Sequence, residues 1–257
     1  MPSYREATIE TVHQFVEFID SAKKQNARSG NSADFLFRGQ NQDYPLLPKL
    51  ARLNLRGEIK KIESLMLDEF ERMVLPLSEF QPKDKWDLLA LAQHHGLPTR
   101  LMDWTFNAMA ALWFAVARPP ATSSKYGTVW ILAADVEDFR SDTEKYGPLS
   151  NRITRIFRPK IVSRRISAQA GAFTVHRIMD GNRIIRFETN HRLSRKLTKV
   201  LIPSTHFAAI RQQLDMLGVN HAALFPDIDG LCSHLEWRYA FYQDEYTSRK
   251  AKKNYSK

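Results

Sequence analysis

The order of hydrophobic periodicities predicts an α+β fold, with an N-terminal helical portion packed on a mixed or antiparallel sheet. Apolar residues recur at helical spacing through most of the chain up to Ala117, strand-like runs gather after residue 128, and strand and helix never alternate as a repeating βαβ array requires. A chain of 257 residues, 43% hydrophobic and 26% charged, is ordinary for a globular protein with a sizeable core. The division expected is an N-terminal helix over 1–29, a main domain over 30–246 and a basic, disordered tail over 247–257, with a boundary near 120–127 as an alternative.

Each element has a local reason. Thr11 to Gln14 has the spacing of a capping box, and Val12, Phe15, Val16 and Ile19 repeat as one helical face, so a helix runs from about 9 to 25 and ends at Ser29 to Ser32. Phe35-Leu36-Phe37-Arg38 reads as a short buried strand with Arg38 at its end and Gly39 permitting a sharp exit. Residues 43–57 are irregular. Ile59, Ile62, Met66, Phe70 and Met73 mark a helix over Glu58 to Val74. Trp86 to Ala92 reads as the end of a buried helix that Gly96 stops, and Asn107 to Ala117, apolar nearly all round, as a core helix. Thr128 to Ala134 predicts a strand covered on both faces, and 135–160 an excursion. Strands are expected at 162–168, 171–177, 183–188 and 197–202, then a helix opened by Pro203-Ser204 and closed by Gly218. A short strand at Ala222 to Phe225 and a helix near 231–245 complete the order.

Composition excludes several classes. The N-terminus lacks an apolar core and no run approaches bilayer-spanning length, so no membrane partner is expected and a cytoplasmic location is. The single cysteine, Cys232, excludes an internal disulfide and a thiolate zinc cluster and reads as a small buried apolar residue. Neither GxxxxGK[ST] nor GxGxxG occurs, HExxH is absent, and the adjacent pair His94-His95 diverges, so no metal site is predicted and no cofactor is specified. The net charge of +10 is concentrated: residues 151–200 hold ten Arg and three Lys against Asp180 and Glu188, or 13 − 2 = +11. An arginine-dominated segment interspersed with Ile161, Phe173 and Phe187 is the footprint of a polyanion partner, nucleic acid or a nucleotide, or of an acidic protein; a solvated face is the plain alternative.

The chemistry gathers in Gln93-His94-His95-Gly96-Leu97-Pro98-Thr99-Arg100-Leu101-Met102-Asp103-Trp104, a polar cluster on a connection between two apolar segments, stiffened by Pro98. This run, the earlier Phe37-Arg38-Gly39-Gln40, the following Asn107 to Ala117, Pro48 to Arg52, Gln169 to Phe173 and Leu224 to Gly230 together resemble the FRG domain, over roughly residues 30–235. Met102 stands where that family usually has leucine, and the family pattern accepts tyrosine at His95. The resemblance implies a prophage or antiviral-defence setting, and it carries no defined reaction.

Arg38, His94, Arg100 and Asp103 are the candidate catalytic residues, converging on one pocket, with Gln40, Thr99, Arg164, Arg165 and Gln169 as substrate contacts. His94 titrates near neutrality and Asp103 would orient it, or it bonds a carbonyl at the helix end. Arg100 would grip a phosphate in bidentate fashion, or form a buried pair with Asp103. Asp103 itself could cap a helix starting after Trp104. FRGQ also resembles the opening strand of some ADP-ribosyltransferases, whose arginine helps hold NAD; Glu188 and Glu236 are the later glutamates such a reading needs, and a nuclease is the other enzyme class. Asp227 and Asp229 read as a turn and helix cap, or as Mg²⁺ ligands. The function expected is recognition and modification of a phosphate-bearing substrate. The alternative is a non-catalytic nucleic-acid or protein-binding module whose motif is a structural clasp.

Overall fold

In the computed structural model residues 4–28, 33–78, 80–121, 125–140, 146–159 and 171–246 are described. The fold is α+β: a seven-stranded mixed sheet with helices packed against it. Its strands are β1 (Arg5–Thr8), β2 (Asp34–Gln40), β3 (Leu101–Thr105), β4 (Tyr126–Ala134), β5 (Arg155–Phe157), β6 (Gly171–Val175) and β9 (Leu197–Pro203), in the order β1-β9-β4-β2-β3-β6-β5. β7 (Ile178–Met179) and β8 (Arg183–Ile184) form a separate hairpin. All pairs in the large sheet are antiparallel except β1 with β9.

The helices are α1 (Val12–Arg28), α2 (Ile59–Val74), α3 (Lys85–His94), α4 (Ala108–Val116), α5 (Phe207–Met216), α6 (His221–Leu224) and α7 (Ile228–Tyr239). Strand alternation sorts the core. Phe35 and Phe37 of β2, Val129 and Ile131 of β4 and Val200 and Ile202 of β9 pack with α1, α4 and α5. Leu36, Trp130 and Leu132 face the other way, against Leu46, Phe187 and Leu193 from irregular segments. A third cluster joins Leu101, Phe173 and Val175 to α2 and α3.

The centre of the sheet depends on two glycines. A Cβ at Gly39 would overlap the carbonyl oxygen of Ala111 in α4, and one at Gly127 would come within 2.7 Å of the Ala115 carbonyl oxygen. Both positions therefore let the α4 backbone lie directly on β2 and β4, and the alanines at 110, 111 and 115 continue that close approach. Gly39 is not a sharp exit from the strand, because β2 continues through Gln40 in register with Thr128.

Other local expectations are corrected by pairing that only the fold supplies. Trp86 to Ala92 does not end a longer helix: α3 begins at Lys85, where the Asp84 carboxylate accepts from the backbone N–H groups of Trp86 and Asp87. The polar motif is not all connection, since Leu101–Thr105 is a strand with five registered pairs to β6. Ala222 to Phe225 is mostly the short helix α6 rather than a strand, capped by Asn220, and α7 starts at Ile228 rather than near 231. The strand expected at 183–188 shrinks to Arg183–Ile184. β1, which carries only four residues, was not anticipated and exists because β9 offers it a parallel partner. Cys232 is exposed, not buried, because α7 turns only Gly230 fully inward. The strand expected at 162–168 lies outside the described residues.

Candidate functional site

β2 and β3 are neighbours with one registered pair, Phe37 with Thr105. Beyond it, the Asp103 carbonyl oxygen accepts from Nη1 of Arg38 at 2.7 Å, so a guanidinium takes the place of a ladder hydrogen bond. The same Nη1 stands 3.8 Å from the Asp103 carboxylate. Arg38 keeps 19% of its side chain exposed and Asp103 59%. Nε of Arg38 is buried and has no hydrogen-bond partner. Burial lowers the Arg38 pKa from its usual value, the Asp103 carboxylate opposes that shift, and the nearby Arg52 adds to it.

A chain of polar contacts holds Asp103 from the other side. Nε2 of Gln93, at the end of α3, donates to both Asp103 carboxylate oxygens at 3.3 and 3.1 Å. Its Oε1 accepts from the Thr99 hydroxyl at 2.6 Å, and that hydroxyl oxygen in turn accepts from the Leu101 N–H at 3.0 Å. Thr99, Asp103 and Arg38 therefore belong to one network whose organiser is Gln93. Asp103 caps no helix: it is the exposed centre of β3, and the cap of α4 is Asn107, whose side chain accepts from Met109 and Ala110.

Arg100 faces elsewhere. It is 2% exposed, as is its partner Glu63 of α2; the pair is joined by Nε at 2.7 Å and Nη2 at 2.6 Å, and the Arg100 N–H also donates to Glu63 at 2.9 Å. Nη1 is taken by the Leu149 carbonyl and Asn151 Oδ1. The partner expected at Asp103 is thus Glu63, which the sequence conceals because one acidic residue in an amphipathic helix reads as solvated. Its signal is position: Glu63 shares the buried face of α2 with Leu67 and Val74.

His176 is the other residue that sequence reasoning missed. It follows β6, its N–H donates to the Arg100 carbonyl, and its ring is buried. Trp104 Nε1 donates to the Thr174 hydroxyl at 3.1 Å, and that hydroxyl meets His176 Nε2 at 3.0 Å. Burial first, then Arg38 and Arg100, push the His176 pKa down to about 3, so the ring is neutral, and its tautomer sets the direction of the hydrogen bond between Nε2 and the Thr174 hydroxyl. The signal was the alternation Ala172, Thr174, His176, which continues the inward face of β6.

The remaining candidates disperse. His94 ends α3 and meets the His95 ring edge-on at 5.0 Å. Gln40 accepts from Trp130 Nε1 at 3.2 Å. Lys49 donates to the Gly96 carbonyl at 2.8 Å, which brings a third cation to the motif. Glu188 accepts from the Leu46 N–H, and Asp227 accepts from the Gly230 N–H as the cap of α7. Arg164, Arg165 and Gln169 lie outside the described residues. Among the described residues no helix is long and apolar enough to cross a membrane.

No curated protein and no solved structure matches this chain. A family model does, over the residues that carry β2, the Lys49–Arg52 turn, α2, α3, β3 and α4. Residues 33–124 of this chain are an FRG domain.

Proposed function

We propose that this protein is a cytoplasmic FRG-domain effector that recognises a phosphate-bearing substrate, nucleic acid or a nucleotide, at Arg38 and modifies it. The observation that carries the reading is the buried Nε of Arg38, an N–H donor without a partner on a guanidinium whose Nη1 is already anchored. Leaving such a donor unmade is costly, and a phosphate oxygen is the acceptor that a guanidinium fork suits best. Arg52 adds positive charge beside it, Lys49 brings a further cation to the Gly96 end of the motif, and Gln93 holds the exposed Asp103 carboxylate, where it serves as a proton acceptor. His94, one residue after Gln93, is the second candidate for moving a proton. Gln40 and Thr99 act by positioning, and Arg100 is architectural, since its donors are consumed by Glu63, Leu149 and Asn151. Residues 30–246 act as one unit in this reading, and a phage-defence or prophage role goes with it.

The test is binding of a short fluorescent oligonucleotide, with inorganic pyrophosphate as competitor. Arg38→Gln should weaken binding by about tenfold or more, the loss of a charge-assisted hydrogen bond, in a chain that remains folded at the assay temperature. Undiminished affinity would sink the reading.

A second reading has its own observation. The closed Arg100–Glu63 pair and the Gln93–Thr99–Asp103 network are what a structural clasp looks like, and they support a binding module without catalysis. In that case Asp103→Asn and His94→Ala leave every phenotype of the protein in phage challenge intact.

A further inference from the structure

A cavity of about 470 Å³, which Arg38 does not line, opens between the end of α4, α6 and α7. Its lining joins Asn41, immediately after the FRGQ stretch, to Trp113, Phe114 and Arg118 at the end of α4, and to Phe225 and Glu236. The volume falls within the range of small-molecule sites.

The apolar wall is a cluster of four rings. Trp113 meets Phe114 at 5.2 Å, His221 at 5.2 Å and Phe225 at 6.0 Å, while His221 and Phe225 lie 4.7 Å apart. Trp113 is buried, but Phe114, His221 and Phe225 remain half-exposed. Aromatic surface left open in a concavity is favourable to cover, and a flat ring covers it with the least loss of freedom.

The polar groups specify what the ring carries. Arg118 and Glu236 line the same cavity with opposite charges and form no ion pair with each other, and among the described residues the side chains of Asn41 and Ser233 make no hydrogen bond. Tyr242 completes the rim; burial first raises its pKa, Arg211 opposes, and Glu236 raises it again, so the phenol stays a donor. A ligand that satisfies this set has a planar ring, an N–H donor for the carboxylate and an anionic group for the guanidinium. The negative end of the α4 dipole also lies here, which makes Arg118 the group on which an anion depends.

We infer that this cavity is a second site, distinct from Arg38, that binds a purine mononucleotide, with the base against Phe114 and Phe225, its amino edge on Glu236 and its phosphate on Arg118. The inference stands whether or not Arg38 binds phosphate, because the two sites share no residue.

The probe is adenosine 5′-monophosphate added to the full chain and followed by calorimetry, with adenosine and ribose 5-phosphate as its two halves. Saturable binding is expected, weakened by about tenfold or more for adenosine and for Arg118→Gln, each of which removes a charged contact. Ser233→Trp should abolish binding by filling the cavity; where that variant unfolds, the exposed Arg118→Glu carries the test instead. The binding component that depends on Arg118 should persist in Arg38→Gln, whatever the Arg38 site itself contributes. No binding at millimolar nucleotide, binding indifferent to Arg118, or binding lost in Arg38→Gln but kept in Ser233→Trp overturns the inference.

Discussion

Arg38 and Arg100 show how one residue type takes two opposite environments within a single motif-bearing region. Arg100 is buried with every donor engaged, so its interaction with Glu63 is decided by desolvation as much as by attraction. Removing one partner strands the other. Arg100→Ala should therefore cost about 3–5 kcal/mol in urea unfolding, and Glu63→Ala a similar amount. A loss below ~1 kcal/mol would show that water reaches the pair. His176 provides a second residue-level test, because its pKa is about 3 when folded against the ordinary 6.5. Between those values the unfolded chain binds the proton and the native chain does not. The contribution is complete above pH ~6.5 and is lost as pH falls toward ~3, with a slope approaching ~1.4 kcal/mol per pH unit. His176→Gln, whose amide can either donate to or accept from the Thr174 hydroxyl, should flatten the stability profile across that window. An unchanged profile would mean that His176 titrates normally.

At the level of elements, the α3–β3–α4 segment shows where caps decide boundaries. Asp84 starts α3, and Asn107 starts α4 by accepting from two N–H groups at 3.0 and 3.1 Å. Asn107→Ala should lower stability by roughly 0.5–2 kcal/mol, whereas Asp103→Ala, at the exposed centre of β3, should have a smaller effect on the unfolding midpoint. The reverse order would contradict the assignment of β3. The helix over residues near 9–25, the α2 and α4 helices, and strands β2, β4, β6 and β9 were all legible from local pattern, the first two helices from one apolar face, α4 and β4 from apolar runs buried on all sides. β3 was not. Its five residues hold a charge at the middle position, and only pairing with β6 tells a strand from a polar loop.

Over the whole molecule, the sheet is assembled from segments far apart in the chain. β1 pairs with β9, and β9 with β4, so residues 5–8 and 197–203 complete a sheet whose centre is β2 and β4. The basic excess over 151–200 is presented in part on the β7–β8 hairpin, where Arg177, Arg183 and Arg186 are exposed. If that face contacts a nucleic-acid backbone, replacing the three by Ala should reduce the slope of log affinity against log salt by about 2 to 3 for a duplex. Thermal stability should stay near that of the unchanged chain. An unaltered slope would make this region a solvated surface.

Periodicity and motif order by themselves determined the α+β class, most helices and central strands, and the FRG resemblance, because these follow from local spacing and side-chain type. Pairing could not be read that way. That Arg100 meets Glu63 rather than Asp103, that Gln93 rather than His94 organises the network, and that His176 is buried beside two arginines depend on residues 10 to 138 positions apart coming together. The cavity between α4 and α7 is of the same kind, since Asn41 and Glu236 share a wall only after the sheet has formed. Local sequence sets which face of a segment is apolar. Which faces meet, and hence which polar groups are enclosed together, is decided by the packing of the whole chain.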